Sequence, residues 1–140
     1  MAREILFRGK RLDNGVWVKG FITAACDCAG RLYFIEQPAQ DPDDCNHSYG
    51  VDFTTVGQYT CMLDKNGNKI FEGDIVAFSG SNNELTNYEI LWYRNRWIVR
   101  ESTYNAVTDL NLSFCNRSVV VGNVYDNPEL LKIYEKLSQL

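Results

Sequence analysis

Residues 56–76, VGQYTCMLDKNGNKIFEGDIV, constrain the fold of this chain more than any other stretch, because they set two strand patterns around a turn and then add a second tight corner. Asn66-Gly67 is the strongest short hairpin signal in the sequence. A type I′ turn needs positive φ at both central residues, and Asn, Asp and Gly tolerate that at low cost. Glu72-Gly73-Asp74 then places a backbone-permissive glycine directly before the β-branched pair Ile75-Val76, which predicts a corner and a new strand.

The rest of the chain reads in the same idiom. Glu4 to Arg8 and Val16 to Ile22 predict a first hairpin around Asn14-Gly15, and Arg31 to Ile35 predict a third strand. Residues 36–50, EQPAQDPDDCNHSYG, hold two of the three prolines and almost nothing apolar, so a long acidic loop is expected there. Tyr88 to Tyr93 and Arg96 to Glu101 form another hairpin pattern, with Ile90 and Trp92 on one face and Trp97 and Val99 likewise. Val119 to Val124 reads as the last strand. Asp126 or Asn127 then caps a short amphipathic helix, in which Pro128 fits the first turn and Leu130, Leu131, Tyr134 and Leu137 share a side. Short strands, tight turns and one terminal helix predict a mainly β, antiparallel protein: an N-terminal β-hairpin lobe over residues 1–56 and a small, strongly curved barrel with a terminal helix over 57–140.

A chain of 140 residues with 45% hydrophobic content can bury a core without covalent staples. Five cysteines, an odd number, and an N-terminus without the apolar core of a signal peptide predict reduced thiols in the cytoplasm, and no apolar run has the length of a membrane span. The net charge of −4 does not favour nucleic acid over the whole surface. A local basic face on the N-terminal hairpin (Arg3, Arg8, Lys10, Arg11, Lys19), together with the strip from Arg94 to Arg100, is the alternative that would bind it.

One set of side chains has metal-ligand chemistry. Cys26 and Cys28, followed by Cys45 and His47, supply the four sulfur and nitrogen donors of a tetrahedral structural zinc site. Against this, one intervening residue within each pair is shorter than the two to four usual in such sites, and the competing reading is two small thiols at a hairpin turn with a solvated histidine. Asp41, Asp43 and Asp44 lack the glycine and distal glutamate of a calcium loop and read as a solvated acidic segment. No catalytic constellation is present: His47 is the sole histidine and no phosphate-binding glycine motif occurs, so a non-enzymatic protein is expected. Glu72 and Asp74 resemble a carboxylate pair but read as turn chemistry, the aspartate capping nearby backbone N–H groups.

The clearest binding signal is aromatic. Trp92, Tyr93 and Trp97 interleave with Arg94, Arg96 and Arg100, a mixture that stacks on peptides, bases or other aromatics. The two tryptophans are expected in the core, which leaves Tyr93, Arg94, Arg96 and Arg100 as the candidate interaction surface for a protein partner or a second copy of the chain.

Arg3-Glu4-Ile5 with Phe7-Arg8, Trp17 and Gly20, Val56 to Thr60, Asp64 to Gly67, Ile70 to Val76 and Gly122 to Leu131 together resemble the YopX-like proteins of phages and prophages. The resemblance spans nearly the whole chain and implies an SH3-like barrel for the C-terminal portion. It carries no catalytic residue, since the family's biochemical role is undefined. Gly9 departs from the family pattern, which often has Ala-Trp there, and the stretch from Cys26 to Tyr49 reads as specific to this member.

Overall fold

The computed structural model describes residues 3–26, 32–39, 41–81, 83–101 and 106–131, with the side chains of 24–26 and 32 excepted. The chain divides into two compact units, residues 1–59 and 60–140.

The first unit is built on β1 (Phe7–Lys10), β2 (Trp17–Cys26), β3 (Leu32–Gln37), β4 (His47–Asp52) and the start of β5 (Gly57–Leu63). All neighbours are antiparallel: Phe7 stands opposite Gly20, Ile22 opposite Ile35, Ile35 opposite Tyr49, and Phe7 on its other side opposite Gln58. The sheet curls, because β4 bridges back to Arg11 just beyond β1 and the Leu12 amide donates to the Gly50 carbonyl. Val18, Ile35 and Val51 fill the inside of that curl. Gly9 and Gly20 make room for it: a Cβ at Gly9 would press on Val51 and Ile35 at 3.2–3.3 Å, and one at Gly20 would overlap the Glu36 carbonyl.

The acidic loop expected over residues 36–50 is shorter, since β3 runs through Gln37 and β4 starts at His47. The segment HSYGVD carries little strand propensity and only Val51 is buried, so pairing with β3, from Leu32↔Asp52 to Gln37↔His47, makes the strand.

The second unit contains the rest of β5, β6 (Lys69–Phe71), and a five-stranded antiparallel sheet. That sheet has the order β10 (Val107–Asp109), β9 (Arg96–Glu101), β8 (Leu85–Tyr93), β7 (Asp74–Ser79), β11 (Ser118–Asn123). A one-turn helix, α1 (Leu112–Cys115), is capped by Asn111, whose side chain accepts from the Phe114 amide at 2.8 Å. Ile70, Val76, Ile90, Val99, Leu110, Phe114 and Cys115 form the core, with Phe78 stacked on Phe114 at 4.6 Å and Tyr88 edge-on to it at 5.1 Å. Burial raises the Cys115 thiol above its ordinary value, with the Asp64 charge adding to the effect, so this cysteine is an inert core residue.

The protein is thus mainly β. Among the described residues no pairing joins β10 to β11, so the five-stranded sheet is open at both edges and no barrel is closed. Besides β4, three elements went unpredicted: the 3-10 turn Phe53–Thr55, β10 and α1. Of the expected terminal helix, Pro128–Leu131 form a 3-10 turn, and Tyr134 and Leu137 lie outside the described residues.

Candidate functional site

The motif residues of the second unit are engaged in holding strands together. Asp64 is buried, and its carboxylate accepts from the amides of Asn66, Asn68 and Val120 and from the Asn68 side chain, at 2.9–3.2 Å. Burial acts to raise its pKa, but those hydrogen bonds outweigh it and hold the carboxyl below the ordinary value. The Asn66-Gly67 turn is not type I′: only Gly67 has positive φ, at 83°. The Asp64 side chain on Asn66 N and Asn68 N selects a turn followed by a left-handed glycine, which is the longer hairpin loop.

The second corner is equally structural. Gly73 sits at φ 88°, its amide donates to the Ile90 carbonyl, and its own carbonyl accepts from Val124 N. Asp74, 2% exposed, accepts from Phe71 N at 2.7 Å. The Gly122 to Asn127 corner closes on itself: Asn123 Oδ1 accepts from the amides of Tyr125 and Asp126, and Asn127 Oδ1 accepts from Asn123 N. A Cβ at Gly122 would overlap the Asn127 side chain and come within 2.7 Å of its Cγ. The apparent carboxylate pair at Glu72 and Asp74 is therefore not a facing pair of catalytic acids, for Asp74 is turned inward onto backbone.

The β8–β9 hairpin contrasts with these corners. Its two-residue loop, Arg94-Asn95, has φ of 51° and 64°, so both residues are left-handed as in a type I′ turn. Asparagine tolerates that conformation, whereas an arginine there costs about 1 kcal/mol. Trp92 is 50% exposed and Tyr93 49%. This corrects the expectation of a buried Trp92: it shares a face with Ile90, but it stands at the hairpin end beyond the core layer, packed edge-on against Trp97 at 4.9 Å. The Arg94 guanidinium lies 5.1 Å from the Tyr93 ring centre. Arg96 pairs with Asp109 of β10 at 3.2 Å, and Arg100 with Glu89 of β8 at 2.6 Å. Of the four residues expected at an interaction surface, Tyr93 and Arg94 form the exposed tip, Arg96 stands opposite Tyr93 and Arg100 lies four residues further along β9, both with their charges already matched by carboxylates.

The residues proposed to bind zinc are not all brought together. Cys26 stands opposite Leu32, and Leu32 opposite Asp52, whereas His47 stands opposite Gln37. Five positions along β3 separate the two rows, about 16 Å at 3.3 Å per residue, which exceeds what a cysteine and an imidazole span on one ion with bonds of about 2.0–2.3 Å. Cys28 lies outside the described residues. Cys45 and His47 do come together, on the exposed loop before β4, and their neighbour is Asp44.

Two antiparallel β units, with glycine and aspartate corners and an aromatic hairpin tip, define the class of protein. The chain belongs to the YopX protein family, whose model matches residues 22–132. Among solved structures it is similar to the crystal structure of protein EF1440 from Enterococcus faecalis, with a TM-score of 0.55 and 23% identity over 93% of this chain and 99% of that one, a likeness of fold alone. No curated protein matches it.

Proposed function

We propose that this YopX-family chain is a non-enzymatic phage or prophage accessory protein of the bacterial cytoplasm, and that it docks another protein through the tip of the β8–β9 hairpin. The observation that carries the reading is the exposure of both Trp92 and Tyr93, consecutive residues on opposite faces of the hairpin end, at a turn whose first residue is a left-handed arginine. Half-exposed aromatics beside arginine supply the anchors that dominate protein interfaces, and a strained residue at a loop tip is kept where the tip has work to do. The five-stranded unit is read as an SH3-like module, which suits such a role by fold analogy only.

The charge arrangement supports a protein partner over nucleic acid. Arg11 is chelated by Asp13 at 2.6 and 2.9 Å and lies over Tyr49, Arg8 is buried against the Trp17 ring, and Arg96 and Arg100 are paired with carboxylates. Phosphate binding needs cations that can release counterions, and four of the arginines concerned already have partners within the molecule. The test is affinity capture from host lysate with wild-type and Trp92→Ser/Tyr93→Ser bait, together with sedimentation of the protein alone. A captured protein, or a self-associated form, that depends on both aromatics supports the reading. A labelled duplex whose shift weakens steeply with salt would replace it with nucleic-acid binding.

A further inference from the structure

We propose that Asp44, Cys45 and His47 form a surface site for a divalent transition-metal ion of the zinc type, with the remaining coordination position open to solvent. The ligand atoms of the three side chains all lie within 4.8 Å of one another. Asp44 Oδ1 and His47 Nε2 are 3.3 Å apart, which matches the edge of about 3.3 Å of a tetrahedron with bonds of about 2.0 Å. A carboxylate, a thiolate and an imidazole are three of the donors zinc accepts, and three protein ligands with an open fourth position is the arrangement of its solvent-accessible sites.

The loop is organised before any ion arrives. The Asp44 amide donates to the Asp41 carbonyl at 3.1 Å, the Asp43 amide to Asp41 Oδ1 at 3.0 Å, and the Ala39 amide to Asn46 Oδ1 at 2.8 Å. Asp44 Oδ1 also accepts from Cys45 N at 2.9 Å, which fixes the carboxylate relative to the thiol that follows it. His47 is the first residue of β4, so the pairing with Gln37 anchors its backbone, and its ring is stacked on Tyr49 with centres 6.3 Å apart. Ordering of the ligands is thus supplied by the loop and strand, and the metal need not do it. This site is distinct from the Cys26, Cys28, Cys45, His47 set, because the register places Cys26 in another row of the sheet. It is also independent of the hairpin reading above.

The experiment is a cobalt(II) titration of the reduced full-length protein, followed by zinc displacement. Thiolate-to-cobalt charge-transfer absorption that saturates at one equivalent and is bleached by zinc is the expected result. Cys45→Ser abolishes it, while His47→Gln and Asp44→Asn each weaken binding by at least about tenfold. The Cys26→Ser/Cys28→Ser double variant keeps it. All three ligands are exposed, so these variants fold, and a second readout stands beside the spectrum: zinc slows alkylation of Cys45 in the wild type and fails to do so in His47→Gln. No absorption at one equivalent, absorption that survives Cys45→Ser, or absorption lost in the Cys26/Cys28 variant would overturn the site.

Discussion

Two turns in the second unit invite comparison. Between β5 and β6, the Asp64 to Asn68 turn directs a buried carboxylate at four donors and ties β11 to the loop through Val120 N. Between β8 and β9, the Arg94-Asn95 turn holds a left-handed arginine and carries two half-exposed aromatic side chains. The first turn uses its polar chemistry to join strands; the second leaves apolar and cationic surface unspent at a backbone cost. Motif density therefore marks where this fold is held, and the motif-poor hairpin marks where it has surface to offer.

The comparison is broken most severely at Asp64. Asp64→Ala leaves several buried or half-buried N–H groups without their acceptor, and we expect it to lower stability by about 3 kcal/mol in urea unfolding. A loss below about 1 kcal/mol would mean that the carboxylate is not the organiser of the turn. Gly122→Ala follows at about 2 kcal/mol, because the added methyl displaces the Asn127 side chain from its bond to Asn123 N; combining it with Asn127→Ala should recover part of that loss.

Acid sharpens the same contrast. The folded pKa of Asp64 lies below its unfolded value of about 3.9, so its contribution is present above that value and fades as pH falls through the folded one. Unfolding midpoints measured from pH 6 downward should drop on an acid limb that is shallower in Asp64→Asn. Superimposable limbs would assign the acid sensitivity elsewhere.

At the hairpin tip the effects on stability are small. Trp92→Ser gives up an edge-on aromatic pair and half-exposed area, a cost of about 1 kcal/mol by thermal unfolding. Arg94→Asn relieves a left-handed arginine and should raise stability by about 0.5 kcal/mol while weakening docking. A destabilised Arg94→Asn would show that the arginine is kept for structure.

Much of this fold is legible in the residues. Asn14-Gly15, Asn66-Gly67 and Gly73 each sit in a turn because glycine alone enters the left-handed region freely, and the alternation in β8 and β9 follows the pleat. What escapes is set by neighbours. Strand β4 exists because β3 offers it hydrogen bonds, β10 because β9 does, and neither carries an apolar alternation to announce itself. The turn types are exchanged for a similar reason: Asn66 is drawn out of the left-handed region by the Asp64 side chain, and Arg94 is forced into it by the two-residue loop. At the candidate sites, Tyr93 and Arg94 were visible from composition, whereas Trp92 required knowing where the core layer ends. The Cys26 and His47 rows could be told apart only from the register, since spacing along the chain says nothing about distance across a curled sheet.

The most direct measurement is a paired one on Trp92→Ser/Tyr93→Ser: urea unfolding of the purified protein beside quantitative affinity capture from host lysate. The division between a structural corner and a docking tip predicts a stability loss of no more than about 2 kcal/mol, smaller than that of Asp64→Ala, with loss of the protein captured by the wild type. Capture that is unchanged, or a stability loss as large as that of Asp64→Ala, would contradict it.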